Sequence, residues 1–171
     1  RKGMRLTRAQ KYCREATVLP PRFDVYRRAM AAMVDHANHY SPRIEHGMVD
    51  GHLFVDVTGT HRLFGPAPDI GWKFRNSVRN SLGIDPIWSL GSSKLVAKVA
   101  SRLVKPVGEY IVGTGEESEF LAPLSVSLLP GLSVFEMRRI RELNLNRISQ
   151  LARLNSRQLM VLFGERGMDI Y

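Results

Sequence analysis

"SPRIEHGMVDGHLFVDVTG", residues 41–59, is the stretch on which the reading of the fold turns. Apolar and polar residues alternate on both sides of Asp50-Gly51, the pattern of two antiparallel strands joined by a tight type I′ turn. With Asp50 and Gly51 as the loop, Val49 faces His52, Gly47 faces Phe54 and Glu45 faces Asp56. Met48/Leu53, His46/Val55 and Ile44/Val57 then line the other side. One face is apolar and the other mixed and acidic, so helices are expected to cover the apolar one. A turn explains Gly51. It leaves the Asp50 carboxylate at the hairpin tip unexplained.

Upstream of the hairpin, Phe23, Tyr26, Met30, Met33, Val34 and Ala37 recur at helical spacing, and Ser41-Pro42 stops that helix. Further upstream, "TRAQ" at residues 7–10 reads as a capping box from Thr7 to Gln10, opening a short helix that ends before "LPP". Downstream, "DIGWKFRNSVRNSL" is a helix with Ile70, Phe74, Val78 and Leu82 turned inward and Gly83 as its stop. "PIWSL" reads as a buried strand. It runs through Gly91 into a Ser-capped helix, "SKLVAKVASRLVKP", with Leu95, Val99 and Leu103 as its apolar stripe. "EYIVG" supplies another strand, and an acidic connection with Glu109, Glu116, Glu117 and Glu119 follows. From "LLPGLSVFEMRRI" onward the pattern is all helical, with Phe135, Ile140 and Leu143 available for packing.

The charge narrows the partner. Twenty-five Lys and Arg against 16 Asp and Glu give a formal +9, which favours a polyanion. Residues 1–28 concentrate it, with Arg1, Lys2, Arg5, Arg8, Lys11, Arg14, Arg22, Arg27 and Arg28 against Glu15 and Asp24. No basic amphipathic helix with exposed aromatics is evident, so nucleic acid is preferred to an anionic membrane. No apolar run approaches the roughly 20 residues a membrane span requires. The start "RKGMRLTR" has neither a Met nor a signal core, and the sequence is expected to begin in mid-protein. Cys13 is alone, which excludes a disulfide framework and fits a reducing compartment.

Lys94, Lys98 and Arg102 are spaced by four and so share one helix face, beside a capped N-terminus whose free N–H groups favour phosphate. The alternative is a solvated cationic face. His36, His39, His46, His52 and His61 do not form a zinc set, since His46 and His52 fall on opposite faces of the hairpin. Neither a Ser-His-Asp order nor a GxxxxGK[ST] loop is present.

Taken in order, "VLPPRFDVYRRAM", "SPRIEHGMVDGHLFVDVTG", "SLGSSKLVAKVASRLVKP" and "LLPGL" resemble the Y-family of translesion DNA polymerases over nearly the whole chain. That family carries S-[IV]-D-E-[AG]-[FY]-L-D-[VI]-T on the hairpin. Its strand–helix unit carries G-[IV]-[AS]-x-[NS]-K-x-[LVF]-A-K-[IV]-A-S, and its thumb opens with PG[IVL]G. The resemblance implies an α+β fold: a polymerase palm, whose sheet contains antiparallel strands with helices on one face, followed by a small all-α helix-hairpin-helix thumb. Residues 1–22 would be the end of the fingers, 23–115 the palm and 120–171 the thumb. The first metal-binding aspartate and the sugar-discriminating aromatic would lie before Arg1, and the little finger beyond Tyr171.

On this resemblance Asp50 matches the metal-binding aspartate, and Gly51 stands where the adjacent glutamate belongs. The reaction implied is two-metal nucleotidyl transfer, with Mg²⁺ ions activating the primer hydroxyl and holding a deoxynucleoside triphosphate. Loss of the glutamate is expected to impair it severely. Lys98 matches the residue that contacts the triphosphate, with Lys94 and Arg102 extending the stripe. Asp56 matches the aspartate of "LDVT", where a structural role is the expectation. Gly131 is expected to let the "PGLS" amides approach a DNA phosphate, Ser133 replaces the second glycine, and Arg138 and Arg139 add sequence-independent phosphate contacts. The implied partners are primer–template DNA and proteins of a repair complex, and the implied setting is the bacterial cytoplasm, close to the nucleoid. Two readings follow: an impaired translesion polymerase, or a non-catalytic DNA-binding scaffold that recruits an active one.

Overall fold

The structure, a computed structural model, describes residues 4–170. The charges of Arg1 and Lys2 lie outside the described residues. In chain order the elements are α1 (Leu6–Tyr12), α2 (Phe23–Asn38), β1 (Ile44–His46), β2 (Leu53–Val55), α3 (His61–Phe64) and α4 (Ala67–Leu82). They continue with β3 (Trp88–Leu90), α5 (Lys94–Leu103), β4 (Glu109–Ile111) and α6 (Glu117–Leu121). A 3-10 turn, Val126–Leu128, then leads to α7 (Val134–Glu142), α8 (Ile148–Leu151), α9 (Ser156–Phe163) and α10 (Arg166–Ile170).

The sheet is split. β1 and β2 pair antiparallel, whereas β3 and β4 pair parallel as a separate two-stranded ribbon with α5 as the crossover. Helices α2 and α4 pack Met30, Met33 and Val78 together with Leu53, Phe74 and Leu82, and so cover the apolar face of the hairpin. His36 on α2 holds the crossing by hydrogen bonds to Ser77 (2.9 Å) and Ser81 (2.7 Å) on α4. Gly71 lies where α4 meets β3, and a Cβ there would collide with the Trp88 ring. Arg75 ties the same region electrostatically. It donates to Asp85 at 2.7 and 2.9 Å and reaches Glu109 at 3.5 Å, while the Trp88 indole N–H donates to Glu109 at 3.0 Å.

The hairpin register differs from the sequence expectation. Ile44 faces Val55, Glu45 faces Phe54 and His46 faces Leu53, a shift of two residues. The Gly47 N–H donates to the His52 carbonyl at 3.1 Å, so Met48 to Gly51 form a longer loop. The physical cause is backbone sign. A type I′ turn needs positive φ at both central residues, and here Gly51 has φ +70° while Asp50 is not among the positive-φ residues. A shift of two keeps every side chain on its predicted face, because only an odd shift exchanges the faces.

Other expectations fail for local reasons. The Thr7 box does not form; α1 starts at Leu6 with Arg5 as its N-cap and buries none of its residues. Phe23 and Tyr26 stay exposed and stack edge-on against each other with ring centroids 6.0 Å apart. On α5 the buried residues are Val96, Val99 and Ala100, while Leu95 and Leu103 lie more exposed, since Leu95 adjoins the cationic stripe rather than the strands. The acidic connection is ordered. Glu116 accepts from the Gly113 N–H and Glu117 from the Gly115 N–H, and Phe120 and Leu121 of α6 pack on Val96, Ala100 and Val112.

The C-terminal helices enclose their own core of Val126, Ile140, Ile148, Leu151 and Leu159. Phe135 and Leu143 remain outside it, 63% and 47% exposed. The phase of α7 is set by its cap. Ser133 Oγ accepts from the Glu136 N–H while the Glu136 carboxylate accepts from the Ser133 N–H at 2.6 Å, a reciprocal box that turns Glu136 inward. Hydrogen bonds from Ser133 and the nearby Arg166 guanidinium hold the Glu136 carboxyl below its ordinary value of 4.5. Its ionised form therefore supports the fold above about pH 4.5, and that support is lost as pH falls through the lowered folded value. Glu136→Gln is accordingly expected to lower the thermal midpoint at neutral pH and to give a shallower fall in acid than the parent. Parallel pH–midpoint curves from thermal melts would contradict the assignment.

Candidate functional site

One open cleft of about 1300 Å³ runs between the hairpin, the start of α5 and the α2/α4 layer. Asp50, Gly51, Lys94 and Lys98 all line it, so four of the residues singled out in the sequence converge. They do not converge as two equal halves. One wall is cationic and the other is a turn.

The cationic wall is built by α5. Ser93 caps the helix, its Oγ accepting from the Val96 N–H at 3.3 Å, and this fixes Lys94 and Lys98 one turn apart on the cleft side. Lys94 Nζ lies 2.6 Å from the Glu45 carboxylate across the cleft, in an exposed pair worth little to stability. Lys98 Nζ lies 5.7 Å from the centroid of the Phe54 ring. Glu45 and Phe54 are cross-strand partners, so the hairpin face opposite its apolar side presents one group to each lysine. Neither residue was singled out in the sequence. Their alternation was the available signal, but only the register joins them.

The other wall is the hairpin loop. The Asp50 carboxylate folds back on its own turn, accepting the His52 N–H at 3.1 Å and lying 3.3 Å from His52 Nδ1. The backbone N–H of His52 is the main cause holding the Asp50 carboxyl below its usual range. Gly47 makes room for it, because a Cβ there would collide with the Asp50 carboxylate. Asp56 behaves similarly, accepting from the Thr58 N–H at 2.9 Å and pairing with Arg43 at 3.5 Å.

Mg²⁺ requires several oxygen ligands near octahedral geometry. Gly51 offers no side-chain oxygen, and among the described residues no three His, Cys, Asp or Glu side chains gather to hold a metal ion. Of the Asp50–Gly51 pair only Asp50 carries a carboxylate, and that carboxylate is engaged by its own turn. The motif spacing points the same way. In the family pattern [AG]-[FY]-L separates the glutamate from the last aspartate, whereas His52, Leu53, Phe54 and Val55 separate Gly51 from Asp56. Counted back from Asp56 without a gap, the two carboxylate positions fall on Gly51 and His52.

The remaining candidates lie outside the cleft. Arg102, on the last turn of α5, donates to the Leu128 carbonyl at 2.7 Å. Gly131 adopts φ +82°, a left-handed conformation suited to glycine, and its carbonyl accepts from Arg166 at 3.1 Å. The Ser133 N–H is taken by Glu136, so that amide is not offered to an anion. Arg138 pairs with Glu142 at 2.8 Å, and Arg139 stacks on Phe135 at 4.7 Å and donates to the Leu162 carbonyl. Arg141, Arg153 and Arg157 are exposed on the same helical part, and among the described residues none of them has an ion pair.

This arrangement, a small split sheet under two helices with a cationic helix edging an open cleft, is the palm-type fold of the Y-family polymerases. The chain superposes on DinB from Sulfolobus solfataricus with TM-score 0.81 at 20% identity, covering 98% of this chain and 50% of that one. An insertion ternary complex of Dbh DNA polymerase gives TM-score 0.81 at 20% identity, covering 98% and 49%. Residues 1–102 match the impB/mucB/samB family, and the chain belongs to it. Among curated relatives, DNA polymerase IV of Desulfatibacillum aliphaticivorans is 33% identical over 100% of this chain and 43% of its own length. DNA polymerase IV 2 of Mesorhizobium japonicum is 33% identical over 96% and 39%. The chain thus spans about two-fifths of the relatives it matches. Among the described residues no helix is long and apolar enough to cross a membrane.

Proposed function

We propose that this chain is the DNA-facing palm and thumb of a polymerase-like protein whose nucleotidyl-transfer site has degenerated and which acts as a DNA-binding accessory in translesion synthesis. The observation that carries the reading is the Asp50 carboxylate folded onto the His52 N–H with Gly51 beside it, opposite a wall that keeps Lys94 and Lys98. The acidic end of the cleft is occupied with making a turn. The cationic end keeps its function of meeting phosphate. The second reading, an impaired but working polymerase that uses Mg²⁺ and a deoxynucleoside triphosphate, draws on Lys98, whose position in the motif is that of the triphosphate lysine.

In the helical part, the helix-hairpin-helix reading gives the Gly131 loop a place beside duplex DNA. Exposed Arg138, Arg141, Arg153 and Arg157 supply contacts to phosphate that carry no sequence information. Repair proteins, including an active translesion polymerase, are the protein partners this role requires, and the bacterial cytoplasm at the nucleoid is its setting.

The test is binding of a labelled primer–template by fluorescence anisotropy across a salt series in EDTA. With roughly four phosphates engaged, log K is expected to fall with log[salt] at a slope of about −3 to −4, equally for unrelated sequences. Salt-independent affinity, or strong preference for one sequence, would sink the phosphate-contact reading.

A further inference from the structure

The side chain of Arg102 starts on the cationic stripe of α5 and ends elsewhere. Its guanidinium donates to the Leu128 carbonyl at 2.7 Å, at the C-terminal end of the 3-10 turn and just ahead of Leu129-Pro130-Gly131. From the other side Arg166 on α10 donates to the Gly131 carbonyl at 3.1 Å and reaches the buried Glu136 carboxylate at 3.4 Å. The loop that opens the helical part is therefore bracketed by two arginines, one from the palm and one from the thumb side. Lys98 lies one turn before Arg102 on the same helix, so the two candidate DNA-facing surfaces share α5 as a common reference.

We infer that Arg102 is a positioning residue. Its hydrogen bond to the Leu128 carbonyl sets the Gly131 loop relative to α5, so that the palm cleft and the thumb loop meet one DNA duplex together rather than separately. The inference rests on the proposed DNA-binding reading and removes Arg102 from the set of phosphate contacts. A charge-assisted donor to a half-buried carbonyl is among the stronger single hydrogen bonds a side chain makes, and its loss releases two surfaces that otherwise bind as a unit.

Two readouts test it on this chain. The first is a distance distribution by double electron–electron resonance, with Cys13→Ser as background and spin labels at Arg62→Cys and Arg153→Cys, both exposed. Arg102→Ala is expected to broaden the distribution, and Arg102→Lys, which can still donate to Leu128, to restore most of it. The second is the salt series on primer–template. Arg102→Ala is expected to weaken affinity by about three- to tenfold with an unchanged salt slope, because no released counterion is lost. A slope reduced by about one would identify Arg102 as a direct phosphate contact and overturn the inference. So would an unchanged distance distribution. If the parent chain binds no DNA, the DNA-binding reading fails while the distance measurement still decides the role of Arg102. If Arg102→Ala does not fold, Arg102→Gln and Arg102→Lys carry the same comparison, with the glutamine variant expected to be intermediate.

Discussion

A protein carrying this chain is expected to extend a primer in Mg²⁺ at least about 1000-fold more slowly than a palm presenting both metal-binding carboxylates, the effect of losing several kcal/mol of transition-state charge stabilisation. Gly51 contributes no side-chain oxygen, and the Asp50 carboxylate is already engaged by the His52 N–H and ring. Freeing Asp50 for a metal would leave the His52 N–H to water and loosen the loop that Gly47 and Gly51 shape around it. Gly51→Glu is therefore not expected to restore the rate by itself. At φ +70° a glutamate also costs on the order of 1 kcal/mol of strain. Single-turnover extension assays with a thermal melt as the folding control would check both statements. Extension by the unmodified protein at ordinary polymerase rates would refute the first, and recovery in a folded Gly51→Glu variant would refute the second.

The second large effect is on stability. Ile140 is fully buried at the centre of the helical core, between Val126, Ile148, Leu151 and Leu159. Ile140→Ala removes most of that side chain where the surrounding short helices cannot close the space, a change that destabilises by about 3 to 4 kcal/mol. A helical unit of this size holds only a few kcal/mol in all, so the unit is expected to unfold while the Met30–Val78 layer persists. Hydrogen exchange would show protection lost across α7 to α9 and retained in α2 and α4. Loss of less than about 1 kcal/mol would mean that Ile140 is not the keystone its burial indicates.

The order of elements was legible because periodicity and punctuation agree: Gly83 stops α4, Ser93 caps α5, and Asp50-Gly51 between two short apolar-containing runs marks the hairpin. What failed depended on details that periodicity does not carry. The hairpin register follows from the sign of one backbone angle at Asp50 and from a carboxylate that prefers the His52 N–H. Glu136 is buried because a capping box set the phase of α7, and Phe135 and Leu143 turned outward with it. At the site, residue types located Lys94 and Lys98 in the cleft but said nothing of Glu45 and Phe54, which reach them only through the strand pairing. Arg102 fits the stripe by spacing and leaves it by length, since a side chain that long can reach a carbonyl on another element.

On the proposed reading the cleft keeps its phosphate-facing wall and has lost its metal-facing one. The most direct test is anisotropy on a dideoxy-terminated primer–template, titrated with the protein in EDTA and again in Mg²⁺ with the next complementary nucleoside triphosphate, at matched ionic strength. Coincident binding curves are expected in the two conditions. A tightening of about tenfold or more with metal and nucleotide, equivalent to about 1.4 kcal/mol, would contradict that reading.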